Sequence, residues 1–175
     1  MNTDQPDTSP AILAFDLGGT RIKAGLVQGA TVSALRVLPV DESEGAGGVV
    51  AQLITLGRHY LASHAISTIG ISVRGIVDPQ AGVIVDLNAP LSCLVGYPLM
   101  QAVSNALGVA TIIENDARMY TLGELTHGSG RGYANLVCLT LGTGTGSGVV
   151  MGGRVLRGPR NVAGILGGHL TVQAD

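Results

Sequence analysis

The 175-residue sequence predicts an α/β fold in which helices flank a sheet of mixed strand direction. The chain opens with three apolar strands joined by short glycine turns, the pattern of an antiparallel meander. Later strands alternate with segments of helical periodicity, which favours a sheet with strands in both directions. A strand–glycine hairpin–strand pattern occurs twice, over residues 15–27 and 139–156, and this repeat predicts two similar domains.

The opening meander is predicted from the alternation of apolar and polar side chains and from two short turns. The turns are Gly18-Gly19 and Gly29-Ala30, both of a length that joins antiparallel strands. The three predicted strands cover residues 12–17, 21–27 and 31–40.

A long helix is predicted over residues 49–65, because its apolar residues recur at helical spacing. The charged, glycine-rich stretch 41–48 before it is expected to be a loop. The remaining elements are predicted as strands over residues 67–73, 83–87, 109–113, 136–141, 148–151 and 154–156, and as helices over residues 98–107 and 117–126.

The predicted domain organisation has three parts. The polar residues 1–10 are expected to form a disordered tail, and residues 11–134 a first domain. Residues 135–175 are expected to begin a second, incomplete domain, because residues 158–175 are too few to close a hydrophobic core.

The composition excludes several classes of protein. Hydrophobic residues make up 46% of the chain and charged residues 13%, which rules out global disorder. A net charge of −2 indicates no nucleic-acid partner. The sequence shows neither a basic, apolar leader nor an apolar run of bilayer length. We therefore expect no membrane association and a cytoplasmic location. Cys93 and Cys138 lie in apolar runs and are predicted to be buried, reduced thiols.

The first glycine turn carries residues suited to binding phosphate. Gly18 and Gly19 leave backbone N–H groups open to phosphate oxygens, while Thr20 adds a hydroxyl and Lys23 a positive charge. Asp16 ends the strand as a carboxylate suited to holding Mg²⁺ through water. The alternative is a plain hairpin in which the two glycines supply positive φ angles.

A second glycine-rich segment follows the predicted strand 136–141. It begins with Gly142, Thr143 and Gly144 and alternates glycine with hydroxyl residues as far as Gly148. Such a segment offers N–H groups and hydroxyls to phosphate oxygens, whereas the alternative is a flexible linker. Two hairpins of this kind on two similar domains predict a nucleotide bound between them.

Polar residues also end an apolar strand where the helix 117–126 begins. They are Glu114, Asn115 and Asp116. One interpretation is that Asn115 or Asp116 caps the helix. The other is that Asp116 is a general base, which accepts the hydroxyl proton during phosphoryl transfer. The same pair could serve both purposes.

The chain carries five short segments in order: Asp16-Leu17-Gly18-Gly19-Thr20, Gly75-Ile76-Val77-Asp78-Pro79, Glu114-Asn115-Asp116-Ala117, Leu141-Gly142-Thr143-Gly144 and Gly168-His169-Leu170-Thr171-Val172. Together they resemble the landmarks of the ROK family, which comprises repressors, open reading frames and kinases. The resemblance runs from about Ala11 to the end of the chain. It implies an actin-like fold of the hexokinase and ribonuclease H type, with ATP between two domains and a sugar in the cleft.

The resemblance also implies roles for individual residues. Asp116 would be the catalytic base. The residues that would bind the sugar are Asn88, Asn115 and His169. Those that would bind ATP and its phosphates are Asp16, Gly18, Gly19, Thr20, Lys23, Gly142, Thr143 and Gly144, and Asp16 would hold Mg²⁺ through water. The implied activity is glucokinase-like, the ATP-dependent phosphorylation of a hexose or N-acetylhexosamine at its 6-hydroxyl, and we expect a homodimer.

The sequence departs from the family pattern at several positions. Arg74 stands where the family usually has proline, and Arg118 where it often has asparagine; both positions are expected near the sugar cleft. Ile165 replaces a glutamate that typically binds sugar hydroxyls, and one extra residue precedes His169. The cysteine cluster that binds zinc in many members does not occur up to Asp175, so we expect no zinc in this chain.

Two alternatives to a kinase remain at this point. One is the sugar-sensing core of a ROK transcriptional regulator, although the roughly ten residues before Ala11 are too few for a DNA-binding domain. The other is a non-catalytic sugar-binding module, which the change at Ile165 would suit. Because much of the second domain would follow Asp175, we expect the 175-residue chain by itself to lack kinase activity.

Overall fold

The structure is a computed structural model, and it describes residues 10–88, 90–142 and 144–167. The chain divides into two compact units, with unit 1 ending at Ile113 and unit 2 beginning at Glu114. Two candidate site residues, Thr143 and His169, lie outside the described residues, as do residues 1–9 of the predicted tail.

Most strands and helices occupy the positions that the sequence predicts, with shifts at their ends, but the strand Ile76–Asp78 and the 3-10 helix Ser92–Leu94 were not predicted. The strands are β1 (Ala11–Leu17), β2 (Arg21–Gln28), β3 (Thr31–Pro39), β4 (Ile66–Val73), β5 (Ile76–Asp78), β6 (Val83–Asp86), β7 (Thr111–Asn115), β8 (Leu136–Leu141), β9 (Thr145–Met151) and β10 (Arg154–Val155). The helices are α1 (Gly45–Leu61), α2 (Leu99–Leu107) and α3 (Asp116–Thr126), with a short 3-10 helix at Ser92–Leu94.

Unit 1 is built on the mixed sheet that the sequence predicts. Its strand order is β3-β2-β1-β4-β7. The first three strands form the predicted antiparallel meander, whereas β1 and β4 pair in parallel. A sheet with strands in both directions and helices beside it confirms the predicted α/β class.

The core of unit 1 joins this sheet to α1. Leu13, Phe15 and Leu17 alternate along β1 and are almost fully buried, as the strand period of two requires. The helix contributes residues at helical spacing to the same apolar cluster: Val49, Val50, Leu53, Leu56 and Tyr60. The apolar pattern that predicted these elements is therefore the pattern that the core buries.

Helix α1 begins earlier than predicted. We expected a loop over residues 41–48, but the helix starts at Gly45 and includes three glycines in its first turn. Gln52 accounts for the difference, because its side chain accepts the N–H of Asp41 at 3.0 Å and donates to the carbonyl of Pro39 at 3.1 Å. These bonds hold the preceding loop against the helix, so tertiary contacts outweigh the poor helix propensity of glycine.

Unit 2 consists of α3 packed on a small antiparallel sheet of strand order β10-β9-β8. The predicted turn between the last two strands is present, and Gly152 and Gly153 have φ angles of 56° and 77°. Helix α3 belongs to this compact unit although it precedes residue 135, where we predict the second domain to begin. The domain boundary itself stays a prediction.

Strand β9 also begins earlier than predicted. We expected a glycine-rich loop over residues 142–148, yet Thr145 already pairs with Leu141 across the hairpin. Two glycines of that stretch serve packing, because a Cβ on Gly146 would lie 3.2 Å from Ala117 Cβ and a Cβ on Gly148 would overlap Thr121. These glycines let the strand approach α3 closely.

Two further expectations concern thiols and membranes. Cys93 and Cys138 are both free cysteines, but each is only partly buried, whereas the sequence predicted buried thiols. Among the residues that the structure describes, none of the helices combines the length and the apolar character needed to cross a bilayer.

Candidate active site

The first glycine turn places a carboxylate beside an ammonium group. Asp16 on β1 is the cross-strand partner of Lys23 on β2, and Lys23 Nζ lies 2.9 Å from Asp16 Oδ2. Both side chains are partly exposed, at 54% for Lys23 and 38% for Asp16. An exposed pair of this kind contributes little to stability, and both charged groups remain accessible to a ligand.

Glycine in this turn is required by packing and not by its φ angles. The N–H of Gly18 donates to the carbonyl of Arg21 at 3.0 Å, which closes the turn, but neither Gly18 nor Gly19 has a left-handed φ. The plain hairpin with positive φ is therefore wrong. A Cβ on Gly19 would overlap Pro90 and lie 3.3 Å from Arg74 Nη1, so another segment approaches the turn closely.

The segment that approaches the turn also carries Asn88. This candidate sugar ligand is exposed and follows β6, two residues before Pro90. Glu42 supports the segment, because its carboxylate accepts the N–H of Leu91 at 2.8 Å. Leu91 is buried with a left-handed φ of 74°, an unfavourable conformation for leucine that packing holds in place. Unit 1 thus places Pro90, two residues beyond Asn88 in the sequence, against the first glycine turn.

The second glycine turn has a different character. Gly142 donates its N–H to the carbonyl of Gly144 at 3.0 Å, and both glycines are exposed. A Cβ on Gly144 would meet nothing within 4 Å, and one on Gly142 would lie 4.0 Å from the carbonyl oxygen of Gly144. Packing against the described residues therefore does not require glycine here. Close approach of a ligand to the backbone would require it.

The junction of β7 and α3 confirms the predicted helix cap. Asn115 is the N-cap residue, and its Oδ1 accepts the backbone N–H of Arg118 at 3.1 Å. Asp116 is the first helical residue, and its Oδ1 accepts the N–H of Ala117 at 2.8 Å and Nδ2–H of Asn115 at 3.1 Å. The candidate base is therefore held by its neighbours, with one carboxylate oxygen oriented by two donors.

A buried charged cluster adjoins this junction. Glu114 is 5% exposed and pairs with two arginines: Arg157 Nη2 lies 2.6 Å from its Oε2, and Arg118 Nη1 lies 3.4 Å from its Oε1. Arg118 is completely buried, and its Nη2 donates to the carbonyls of Asn161 and Ala163, both at 2.9 Å. The cluster joins the start of α3 to the segment that follows β10.

Burial affects the pKa of Arg118. Desolvation lowers the pKa of this guanidinium, because an apolar environment disfavours the charged form, and the nearby Arg157 lowers it further. The Glu114 carboxylate opposes both effects and raises the pKa. The Nε group of Arg118 has no hydrogen-bond partner within the described residues. Glu114 is thus the charge that makes burial of this arginine tolerable.

Sequence reasoning did not identify Glu114 and Arg157 as a pair. The sequence analysis noted Arg118 only as a departure from the family pattern. The spacing of four residues between Glu114 and Arg118 is the only signal in the sequence that predicts an ion pair. Arg157 lies 43 residues beyond Glu114, so no local pattern connects them.

The segment that leads to His169 is tied to strand β9. Ser147 is buried, and its hydroxyl donates to the carbonyl of Gly164 at 2.8 Å and accepts the N–H of Gly167 at 2.7 Å. This serine was expected only as part of a phosphate-binding loop. Its hydroxyl instead serves the backbone of the segment that contains Ile165.

The described residues contain no group of three or more His, Cys, Asp or Glu side chains placed to hold a metal ion.

Comparison with known proteins identifies relatives along most of the chain. The model of the ROK family matches residues 12–175. The sequence is 32% identical over 165 residues to a glucokinase of Streptomyces coelicolor, covering 93% of this chain and 50% of that protein. It is 33% identical over 165 residues to an N-acetyl-D-glucosamine kinase of Vibrio cholerae, covering 92% of this chain and 53% of that protein.

A similar solved structure supports the fold. It is a ROK family glucokinase from Streptomyces griseus in complex with glucose and AMPPNP, with a TM-score of 0.79 and 29% identity. The similarity covers 90% of this chain and 49% of that one. The chain thus spans about half the length of these relatives, and its sheet with flanking helices confirms the predicted actin-like fold.

Proposed function

Because this chain belongs to the ROK family, we propose that the full-length protein is a sugar kinase. It transfers the γ-phosphoryl group of ATP to the 6-hydroxyl of a hexose or N-acetylhexosamine. Relatives at 32% and 33% identity are named glucokinase and N-acetyl-D-glucosamine kinase, which supports this substrate class. The glucokinase of known structure was solved with AMPPNP, which supports ATP as the donor.

The observation that carries the proposal is the arrangement of Asn115 and Asp116 at the start of α3. Two donors hold one carboxylate oxygen of Asp116, so the orientation of the carboxylate is set before any substrate binds. In the proposed reaction, Asp116 accepts the proton of the sugar hydroxyl as that oxygen attacks the γ-phosphorus and ADP leaves. Such positioning is the main contribution of a protein to phosphoryl transfer.

The two glycine turns support binding of the phosphates. Packing against the described residues does not require glycine at position 142 or 144. Lys23 supplies a positive charge at the other turn, and Thr20 is exposed there with its hydroxyl. We assign both turns to phosphate oxygens, which N–H groups and a mobile ammonium bind well.

Asp16 suits a role with Mg²⁺. Its carboxylate is an oxygen donor, which this hard cation prefers, and it is accessible from solvent. The ion would neutralise charge on the phosphate oxygens. Lys23, which pairs with Asp16 in the structure, would then share that carboxylate or turn to a phosphate.

The proposal is tested by ADP release from the full-length protein with a panel of hexoses and N-acetylhexosamines. Asp116→Asn should lower kcat at least about 10²-fold, the scale of a lost general base, with little change in the KM for ATP. Glu124→Gln is a matched control, because it removes a carboxylate at the opposite end of α3, where the side chain accepts hydrogen bonds from Ser129.

Two outcomes would contradict the proposal. Normal turnover in the Asp116→Asn protein would exclude Asp116 as the base. Sugar binding by the wild-type protein without ADP release from any sugar would favour the non-catalytic module instead. Identification of the phosphorylated carbon by NMR of the product tests the 6-hydroxyl.

A further inference from the structure

Glu114 uses the full acceptor capacity of its carboxylate. Oε2 accepts two hydrogen bonds from Arg157, at 2.6 Å from Nη2 and 3.0 Å from Nε. Oε1 accepts the backbone N–H of Asn115 at 2.9 Å and Nη1–H of Arg118 at 3.4 Å. A carboxylate offers about four acceptor positions, so the orientation of this buried group is completely specified.

The hydrogen bonds continue from Glu114 to the candidate base. Oε1 of Glu114 fixes the N–H of Asn115 and thereby the peptide group that precedes the cap residue. The side chain of Asn115 then contacts Asp116 through Nδ2. A chain of three bonds therefore runs from the Arg157 guanidinium through Glu114 and Asn115 to the Asp116 carboxylate.

We propose that Arg157 and Glu114 are positioning residues for proton transfer, acting on Asp116 through Asn115. The inference rests on the proposed function, in which Asp116 is the base. The same cluster holds the segment that leads to His169, because Arg118 bonds the carbonyls of Asn161 and Ala163.

Arg157 is the residue at which this role can be separated from folding. Its side chain is 38% exposed, whereas that of Glu114 is 6% exposed. Loss of Glu114 would leave the buried Arg118 without a counter-charge, which is strongly destabilising. Loss of Arg157 leaves the Glu114–Arg118 pair in place, and it releases only Oε2 of the carboxylate.

The experiment compares Arg157→Gln, Arg157→Lys and Asp116→Asn in the full-length protein. The Gln variant should lower kcat about 10- to 100-fold, the scale of an active-site displacement of about 1 Å, with the KM for ATP unchanged within about twofold. The Lys variant should recover most of the loss, because both Arg157 bonds go to one oxygen and an ammonium group can serve it. Arg160→Gln is the control, since Arg160 is exposed in the same segment.

A double variant tests whether Arg157 acts through Asp116. If it does, Asp116→Asn combined with Arg157→Gln should turn over no more slowly than Asp116→Asn alone. Multiplicative losses would overturn the inference, because they would mean an effect independent of the base. A normal kcat for Arg157→Gln together with an impaired Asp116→Asn would also overturn the inference, but it would leave the proposed function intact. Normal turnover in Asp116→Asn would overturn both.

Discussion

The side chain of Asn115 donates a hydrogen bond to Oδ1 of Asp116 at 3.1 Å while its own Oδ1 caps helix α3. One residue therefore serves both the helix and the carboxylate that we propose as the base. The two interpretations of this junction that the sequence left open are compatible, because capping uses the amide oxygen and the contact with Asp116 uses the amide nitrogen. The cap is confirmed, and the role of Asp116 stays a prediction.

Substitution of Asn115 should separate these two roles. Asn115→Ala removes the cap and should lower the free energy of unfolding by about 1 kcal/mol. Asn115→Ser retains a capping oxygen and should lower it by only a few tenths of a kcal/mol. Both variants lose the donor to Asp116, so both should raise the KM for the sugar or lower kcat. Urea unfolding and ADP release, measured in parallel, check this. Equal activity in wild type and Asn115→Ser would show that the hydrogen bond from the amide to Asp116 is not needed for turnover.

The glycine at position 144 should matter for ATP and not for folding. A Cβ there meets nothing within 4 Å, so Gly144→Val should leave the melting temperature nearly unchanged. It should raise the KM for ATP far more than that for the sugar, because a branched side chain blocks approach of phosphate to the backbone.

Gly148→Ala is the comparison for Gly144→Val, because we expect it to lower stability. Its Cβ would overlap Thr121 and lie 2.9 Å from the carbonyl of Ala117, so it should cost about 1–3 kcal/mol of stability. Equal effects of Gly144→Val on both Michaelis constants would mean that the turn serves something other than phosphate binding. Gly19 is a poorer probe, because Pro90 already packs against it.

Removal of the buried Arg118 should destabilise unit 2. Arg118→Met leaves the carbonyls of Asn161 and Ala163 without these donors and takes one positive charge from Glu114. We expect the free energy of unfolding to fall by about 2–4 kcal/mol. Arg131→Met is the control, since Arg131 is exposed after α3. A loss below about 0.5 kcal/mol, the usual limit for surface sites, would show that the cluster is not needed for folding.

The hydroxyl of Tyr60 should contribute to stability in a pH-dependent manner. It lies buried on α1, at 2.5 Å from the carbonyl of Ala34 and 3.2 Å from that of Ala24. Ala34 has a left-handed φ of 50°, next to an irregularity in the β2–β3 pairing. Tyr60→Phe should therefore cost about 1–2 kcal/mol, through the lost bond to carbonyls at this bulge.

Burial raises the pKa of the Tyr60 phenol, and the nearby Arg36 partly opposes the shift. The folded state thus retains the phenol proton more strongly than the unfolded chain does. The stabilisation is present below the unfolded pKa of about 10 and is lost as pH rises through the folded pKa. The stability difference between wild type and Tyr60→Phe should shrink above about pH 10. Tyr133→Phe, at an exposed position, is the control.

The sequence by itself determined the features that depend on neighbouring residues. The alternation along β1 and the helical spacing within α1 predicted both elements, because each pattern matches the geometry of one backbone conformation. The cap at Asn115 was also predictable, since its partner Arg118 is three residues away. Five segments in order were enough to indicate the family, which the match over residues 12–175 confirms.

Only the tertiary structure decided which glycines serve packing and where certain elements begin. Gly146 and Gly148 looked like members of one loop with Gly142 and Gly144, but contacts with α3 place them in a strand. The early start of α1 likewise depends on bonds between Gln52 and a loop that precedes the helix. No local pattern contains these contacts, because they form between segments that approach each other only after folding.

The pairing of Glu114 with Arg157 could not be predicted from the sequence for the same reason. The two residues lie 43 positions apart, and their ion pair exists because β7 and the segment after β10 meet in unit 2. Burial of Glu114 and Arg118, which makes their charges matter, is likewise a property of the packed unit. The sequence specified the chemical groups at the start of α3. Packing decided which of them meet, because burial and long-range contacts arise only when distant segments exclude water together.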